Sequence, residues 1–414
     1  RIIQDASDRY YIDHNDWPYL LDEDGNKLIV SNPKELTIIY KVEDYDESNL
    51  GTNPDEDIVL YEIDFDKLKP YIRKLHSDTA YFVAARANLE FGITVLDPKS
   101  NKDRITPPIN EGTPEGPGEV GKGEIIIRTA EDLAKIGKDE NYPLNGNYIQ
   151  MADIDLSGYR DGEGWVPIGN YTNRFTGKFD GNGFKIRNLY IDRPNIKDQG
   201  LFGYTKGATL TNISLENVNV TGEEATGGLV GGADESTISN SYATGSVEGG
   251  YYTGGLVGDA INSTISNSYA TGSVSGENYT GGLIGSSEES TITNSYATGS
   301  VSGRFYTGGL VGYAKSSSTI TNSYATGSVT GIFYIGGLVG YVDESTISNS
   351  YWDEETTDQN ISAGGGTGLS TSQMKEKSTY VNAGWDFVNT WDIIEGESYP
   401  FLKSNPQNPP PGTN

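Results

Sequence analysis

The sequence predicts a mainly-β protein: a right-handed parallel β-helix (solenoid) of about 27-residue coils, preceded by a small, mostly-β, sandwich-like domain. Two observations lead there. A GGLV or GGLI tetrapeptide begins at Gly227, Gly254, Gly281, Gly308 and Gly336, at spacings of 27, 27, 27 and 28 residues, after a degenerate GLFG at 200–203. Each repeat also holds three short β-prone stretches (GGLVG, STIS or STIT, ATGSV) separated by Gly, Asn or Ser, and none has a helical period long enough to fill the unit. Such a unit cannot bury its apolar face alone. Stacked copies can, each strand pairing with its copy about 4.8 Å above and below.

The elements follow in chain order. Residues 1–105 carry no repeat, and their apolar runs at 36–42, 58–63, 80–84 and 91–96 read as strands. Between them, 64–76 reads as a short helix or turn interrupted at Pro70, and DEDGN at 22–26 as a β-turn. Residues 106–123, dense in Pro and Gly, make a linker. Residues 124–199 are expected to form irregular N-terminal coils that cap the β-helix, with a helix over 128–137 opened by Thr129.

Over 200–350 the repeat fixes columns. Ile238, Ile265, Ile292, Ile320 and Ile347 point inward, as do Val247, Val274, Val301 and Val329, and Leu229, Leu256, Leu283, Leu310 and Leu338. Asn240, Asn267, Asn294, Asn322 and Asn349 stack at a turn. Residues 351–403 break the repeat and, with Trp352, Trp385 and Trp391, fit a C-terminal cap. Residues 404–414 read as a Pro-rich linker to further domains of the same chain, and the opening on Arg1 fits a piece of a longer secreted protein.

Composition excludes several function classes. With 58 acidic against 30 basic residues, the net charge of −28 repels nucleic acid and anionic membranes. No run is apolar enough for membrane insertion as a helix. The absence of cysteine removes disulfides, zinc-thiolate sites and thiol nucleophiles.

GGLVG followed by S-T-I-[ST]-N-S-Y-A-T-G-S-V resembles the GLUG motif of bacterial surface and secreted proteins. The lead-in (DLAKIG, ADIDLSGY, WVPIG, FTGKFDGNGFKIRNLYI) and the closing segment (YWDEETT, SAGGGTGLSTSQM, GWDF, YPFLK) are similar to those that flank such repeats, so the resemblance spans roughly 124–403. It implies a β-helical, adhesin-like protein, extracellular or on a bacterial cell surface, and no shared catalytic residues. Some immunoglobulin proteases carry these repeats, but HExxH is missing here and the chain has only His14 and His76.

No catalytic residue is expected. Polysaccharide lyases and hydrolases built on β-helices remain an alternative. They need a cation or paired carboxylates on one face, whereas the repeats hold only Lys206, Arg304 and Lys315 as cations, with acids confined to variable loops. No cofactor is expected, with calcium as an alternative at Asp153, Asp155 and Asp180, whose other reading is turn capping.

Three further columns remain. Tyr242, Tyr269, Tyr296, Tyr324 and Tyr351 are expected to be at least half buried, because counting back from Val220 places Leu215 at that position in the first coil. At the second column Ala225 stands where Tyr252 stands later, so packing there does not require a ring. Tyr252, Tyr279, Tyr306 and Tyr334, with Tyr251, Phe305 and Phe333, then form an aromatic strip suited to stacking on a polysaccharide or host or cell-surface glycan, or else a ladder that only stabilises a corner. Thr264, Thr291, Thr293, Thr319 and Thr321 belong to an outward hydroxyl array that fits a sugar-facing surface, plain solvent-facing sheet or ice binding.

Overall fold

The computed structural model describes residues 123–413 in full, together with the strands β1 (Leu50–Gly51), β2 (Ile58–Glu62), β3 (Tyr81–Ala85) and β4 (Phe91–Val95) at backbone level. The chain divides into two units, 1–110 and 111–414. In the first, β1 pairs with β2 in parallel, and β2–β3 and β3–β4 pair antiparallel, giving one four-stranded sheet among the described residues. Three of the expected runs are these strands. The expected strand at 36–42, the 64–76 segment and the 22–26 turn lie outside the described residues.

The second unit is a parallel β-solenoid of about eight turns. One coil illustrates them all. It runs through Asn278–Gly281, Ile284–Glu288, Thr291–Thr293, Tyr296–Ala297 and Val301–Ser302. Each strand pairs in register with its copy one coil on: Thr280 with Thr307, Ile284 with Val311, Ile292 with Ile320, Tyr296 with Tyr324, Val301 with Val329. The chain turns at residues in the left-handed region, which in this coil are Tyr279 (φ 48°), Glu289 (47°) and Asn294 (49°). Asn tolerates that conformation because its amide bonds locally, which is why an Asn recurs at the third corner. The extra residue of the 28-residue coil is absorbed at the second corner, where Ser316 and Ser317 are both left-handed.

The predicted Ile, Val and Leu columns are the core: apart from Ile347, which is partly buried in the last coil, every member is buried. Two serine columns flank them, unforeseen from the pattern. Ser241, Ser268, Ser295 and Ser323 are fully buried. Each hydroxyl donates to the carbonyl two residues back, and those of Ser268, Ser295 and Ser323 accept the N–H of the serine one coil earlier. The corner backbone is thereby satisfied without water.

The N-terminal end is closed by α1 (Ala130–Lys135), whose Thr129 cap forms a capping box with Asp132, and by irregular coils filled with Trp165, Phe175, Phe179 and Phe202. In the first coil the structure corrects the count made from sequence. The register shifts between Leu215 and Val218, so Tyr242 pairs with Ser214 and Leu215 pairs with Ala243. A bulge of this kind leaves no mark on the spacing of Val220 to Val247.

The C-terminal region does more than cap. Gly365–Leu369 adds one strand beyond Tyr351–Asp353, and the chain then folds along the flank of the solenoid. There Met374, Tyr380, Trp385, Trp391, Tyr399 and Leu402 cover the Tyr242–Tyr351 column. Residues 404–413, expected as a free linker, also pack back: the Tyr399 N–H donates to the Pro411 carbonyl (2.8 Å), Lys375 Nζ to the Gly412 carbonyl (2.8 Å), and Pro411 is buried.

Candidate functional site

The two tyrosine columns have opposite fates. Tyr269, Tyr296 and Tyr324 stack at 4.7 and 5.0 Å with planes within 6° and are almost wholly buried. The Tyr324 hydroxyl donates to the Pro400 carbonyl at 2.6 Å. This column is structural.

The second column stays at the surface. Tyr252, Tyr279, Tyr306 and Tyr334 occupy the first corner of successive coils at φ 36°, 48°, 55° and 56°, and Ala225 holds the same conformation (56°) one coil earlier. Their rings form a continuous stack, with centroids 5.2, 5.0 and 4.8 Å apart and planes within 21°, 8° and 8°. Phe305 and Phe333 stack beside them at 5.2 Å, Tyr251 lies 6.3 Å from Tyr252, and Arg304 lies over the Phe305 ring.

The strip is wider than the repeat reveals. Tyr313 and Tyr341, on the outer face of the next strand, join it: Tyr313 lies 5.3 Å from Tyr279, and Tyr341 meets Tyr306 and Tyr334 edge-on at 5.4 and 5.3 Å. Their column reads Tyr204, Gly232, Asp259, Ser286, Tyr313, Tyr341, so no period announces it. Exposure is greatest at the ends: Tyr251 at one and Phe333, Tyr334 and Tyr341 at the other are exposed, while Tyr279 and Tyr306 between them are half-buried.

The geometry alters how a sugar can meet the strip. Each inner ring has both faces against its neighbours, so the flank presents ring edges and a row of phenol hydroxyls at about the coil repeat. Stacking on one ring per coil, as expected from the sequence, is closed off.

The hydroxyl array lies on another face. Thr264 and Thr291 are exposed and Thr293, Thr319 and Thr321 half-buried, each paired in register with its neighbours on strands that carry no charged residue. Around the predicted calcium residues every carboxylate is occupied. Asp153 accepts the Lys185 N–H and pairs with Arg187 (3.2 Å), Asp155 accepts from Ser157 and Asn188, and Asp180 accepts from Asn182 and Asn212. This is the work of turn caps and coil-to-coil ties. Among the described residues no three His, Cys, Asp or Glu side chains gather closely enough to hold a metal ion. Lys206 pairs with Asp234 (2.6 Å) and Lys315 with Glu288 (2.8 Å), so both lysines of the repeats are engaged.

Beside the strip, burial pushes the Asp259 carboxyl up to about 6, opposed by the Ser286 hydroxyl and Lys315. Between its ordinary 3.8 and about 6 the folded protein retains a proton that the unfolded chain has lost, so this group's contribution to stability falls as pH rises through that window. Asp259→Asn is expected to raise the thermal midpoint at pH 7.5 and to leave it nearly unchanged at pH 4, read by circular dichroism. A lower midpoint at pH 7.5 would contradict the assignment.

Comparison with known proteins places the repeats. A family profile described as the GLUG motif matches residues 222–248, 249–275, 276–302 and 303–330, four of the six copies visible by eye. Halomucin of Haloquadratum walsbyi is 38% identical over 142 residues, which are 33% of this chain and 2% of that protein. A protein of Evansella cellulosilytica, provisionally named a Gly-rich membrane protein, is 36% identical over 136 residues, 31% of this chain and 15% of that protein. The chain thus spans a small fraction of the curated relatives it matches. Among solved structures, a Bacteroides ovatus protein provisionally assigned as an immunoglobulin A1 protease superposes with a TM-score of 0.53 at 21% identity, covering 71% of this chain and 96% of that one. At that identity the likeness is one of fold.

Proposed function

We propose that this chain, whose residues 222–330 are GLUG motif repeats on a parallel β-solenoid, is a non-enzymatic binding module of an extracellular or bacterial cell-surface protein, adhering to polysaccharide through its aromatic strip. One observation carries the reading. Tyrosine stands in the left-handed conformation in four successive coils, at a corner where Ala225 shows that the fold accepts a methyl group. A side chain other than Gly, Asn or Asp in that region costs roughly 1 kcal/mol or more, a cost that Ala225 shows the corner does not need a ring to bear. Strain of this kind, kept over four coils at an aromatic surface, fits selection for contact with a ligand. The names of the Halomucin and Gly-rich membrane protein relatives agree with a surface location.

The test is retention on insoluble cellulose, chitin and mannan. The wild type is expected to be retained on at least one of them, and the Tyr279→Ala/Tyr306→Ala/Tyr334→Ala variant to lose retention while keeping its thermal midpoint within a few degrees. Retention unchanged in the triple variant but lost in Thr291→Val/Thr293→Val would move the site to the hydroxyl array. Release of soluble sugars during incubation would replace the binding reading with an enzymatic one.

A further inference from the structure

We infer that the strip binds a glycan at one place, the C-terminal end of the aromatic stack, where a single sugar ring lies on the open faces of Tyr334 and Phe333. The inference rests on the polysaccharide reading above and narrows it to one subsite. Planes within 8° at 4.8 to 5.0 Å mean that the faces of Tyr306 are covered by Tyr279 and Tyr334. Phe333 likewise has Phe305 on one face, at 5.2 Å. Beyond Tyr334 and Phe333 the described residues supply no further ring in either stack. These two side chains are 55% and 52% exposed, more than any inner member. Sugar–aromatic contact needs the ring face, where C–H groups meet the negative side of the quadrupole. This end offers the faces of Tyr334 and Phe333, whereas the exposed Tyr251 at the other end is tilted 59° to Tyr252.

The backbone there supplies the polar half of the contact. Phe333–Gly336 is the last strand of its five-stranded sheet, and no described strand pairs with its outer edge. Just beyond it the edge is closed: Gly337 N–H donates to the Ile361 carbonyl (2.9 Å) and Ala363 N–H to that of Val339 (3.0 Å). Gly336 is itself buried, with Ser362 packed against it, so the open stretch is Phe333–Ile335, about 10 Å of strand. That is short for an added peptide strand, whose usual length is five or six residues, and matches one or two sugar rings whose hydroxyls can both donate to and accept from main-chain groups. The exposed Tyr341, edge-on to Tyr334 at 5.3 Å, walls one side.

The experiment uses whichever of cellulose, chitin or mannan retains the full chain, with affinity read from binding isotherms. Tyr334→Leu and Phe333→Leu, which keep an apolar side chain but lose the flat face, are each expected to weaken binding about tenfold, the value of one stacked pair at the strong end of its range. Tyr279→Phe/Tyr306→Phe, which keeps the stack and removes only two inner hydroxyls, is expected to weaken binding less than either leucine variant. If the leucine variants bind normally, the end-stacking site is wrong and the polysaccharide meets another part of the surface. If only the Tyr279→Phe/Tyr306→Phe variant weakens, the contact is the hydroxyl row along the flank; the subsite falls and the polysaccharide reading stands. If none of the three polysaccharides retains the wild type, that reading falls and the subsite with it.

Discussion

Tyr324→Ala is expected to destabilise the second unit by about 3–5 kcal/mol, the range for removing a large aromatic side chain from a core. The ring is wholly buried, stacked on Tyr296 at 5.0 Å and in reach of Trp385, Trp391 and Tyr399 at 6.2 to 6.5 Å. Its hydroxyl satisfies the Pro400 carbonyl. Because the ring joins the solenoid to the segment that folds along it, the loss is local: the segment 371–403 detaches before the coils do. Limited proteolysis should cut within that segment at denaturant concentrations where the wild type is resistant, and near-ultraviolet circular dichroism from the Trp385 and Trp391 environment should fall first. Tyr324→Phe, which loses only the hydrogen bond, should cost about 1–2 kcal/mol. Cuts in the repeats rather than in the segment would show that the column belongs to the solenoid core alone.

Gly299→Ala should be more damaging than its size suggests. A β-carbon there would lie 1.7 Å from the carbonyl oxygen of Gly272, and one at Gly327 would lie 1.7 Å from that of Gly299. The obstruction is backbone in both cases, so no side-chain rotation relieves it. Coils at this corner approach too closely for any Cβ, and the strands must separate. A cost of about 3 kcal/mol, at the upper end for forced overpacking, is expected in urea unfolding. An alanine at Gly207, a left-handed turn with open space around it, carries only the conformational cost of about 1 kcal/mol and serves as the comparison. Equal effects at the two positions would refute the close-approach account.

Much of the scaffold was legible in the sequence because a solenoid repeats its physics with its residues. Once Ile265, Ile292 and Ile320 are seen at one phase of a 27- to 28-residue period, inward orientation and parallel pairing follow, and the structure places all three at zero exposure. The comparison of coils was sound for Ala225 and Tyr252, which pair column for column, and failed for Leu215, where a bulge shifts the register. Tyr313 and Tyr341 escaped because a column must recur to be noticed, and in theirs Gly, Asp and Ser separate them from Tyr204.

What the sequence determined by itself was the class of fold, the contents of its core and the candidate surface columns, since all three depend on residues one coil apart. Only the tertiary structure decided which tyrosine column is buried. That depends on the non-repeating segment 371–407 lying over Tyr242–Tyr351 and leaving Tyr252–Tyr334 uncovered, a contact between residues as many as 111 positions apart, as Tyr296 and Gln407 are. It also decided that the inner rings of the exposed column face one another. A repeat specifies that side chains recur at the coil spacing, but stacked rings at that spacing consume their own faces, and only the ends of the stack are left without a stacked neighbour.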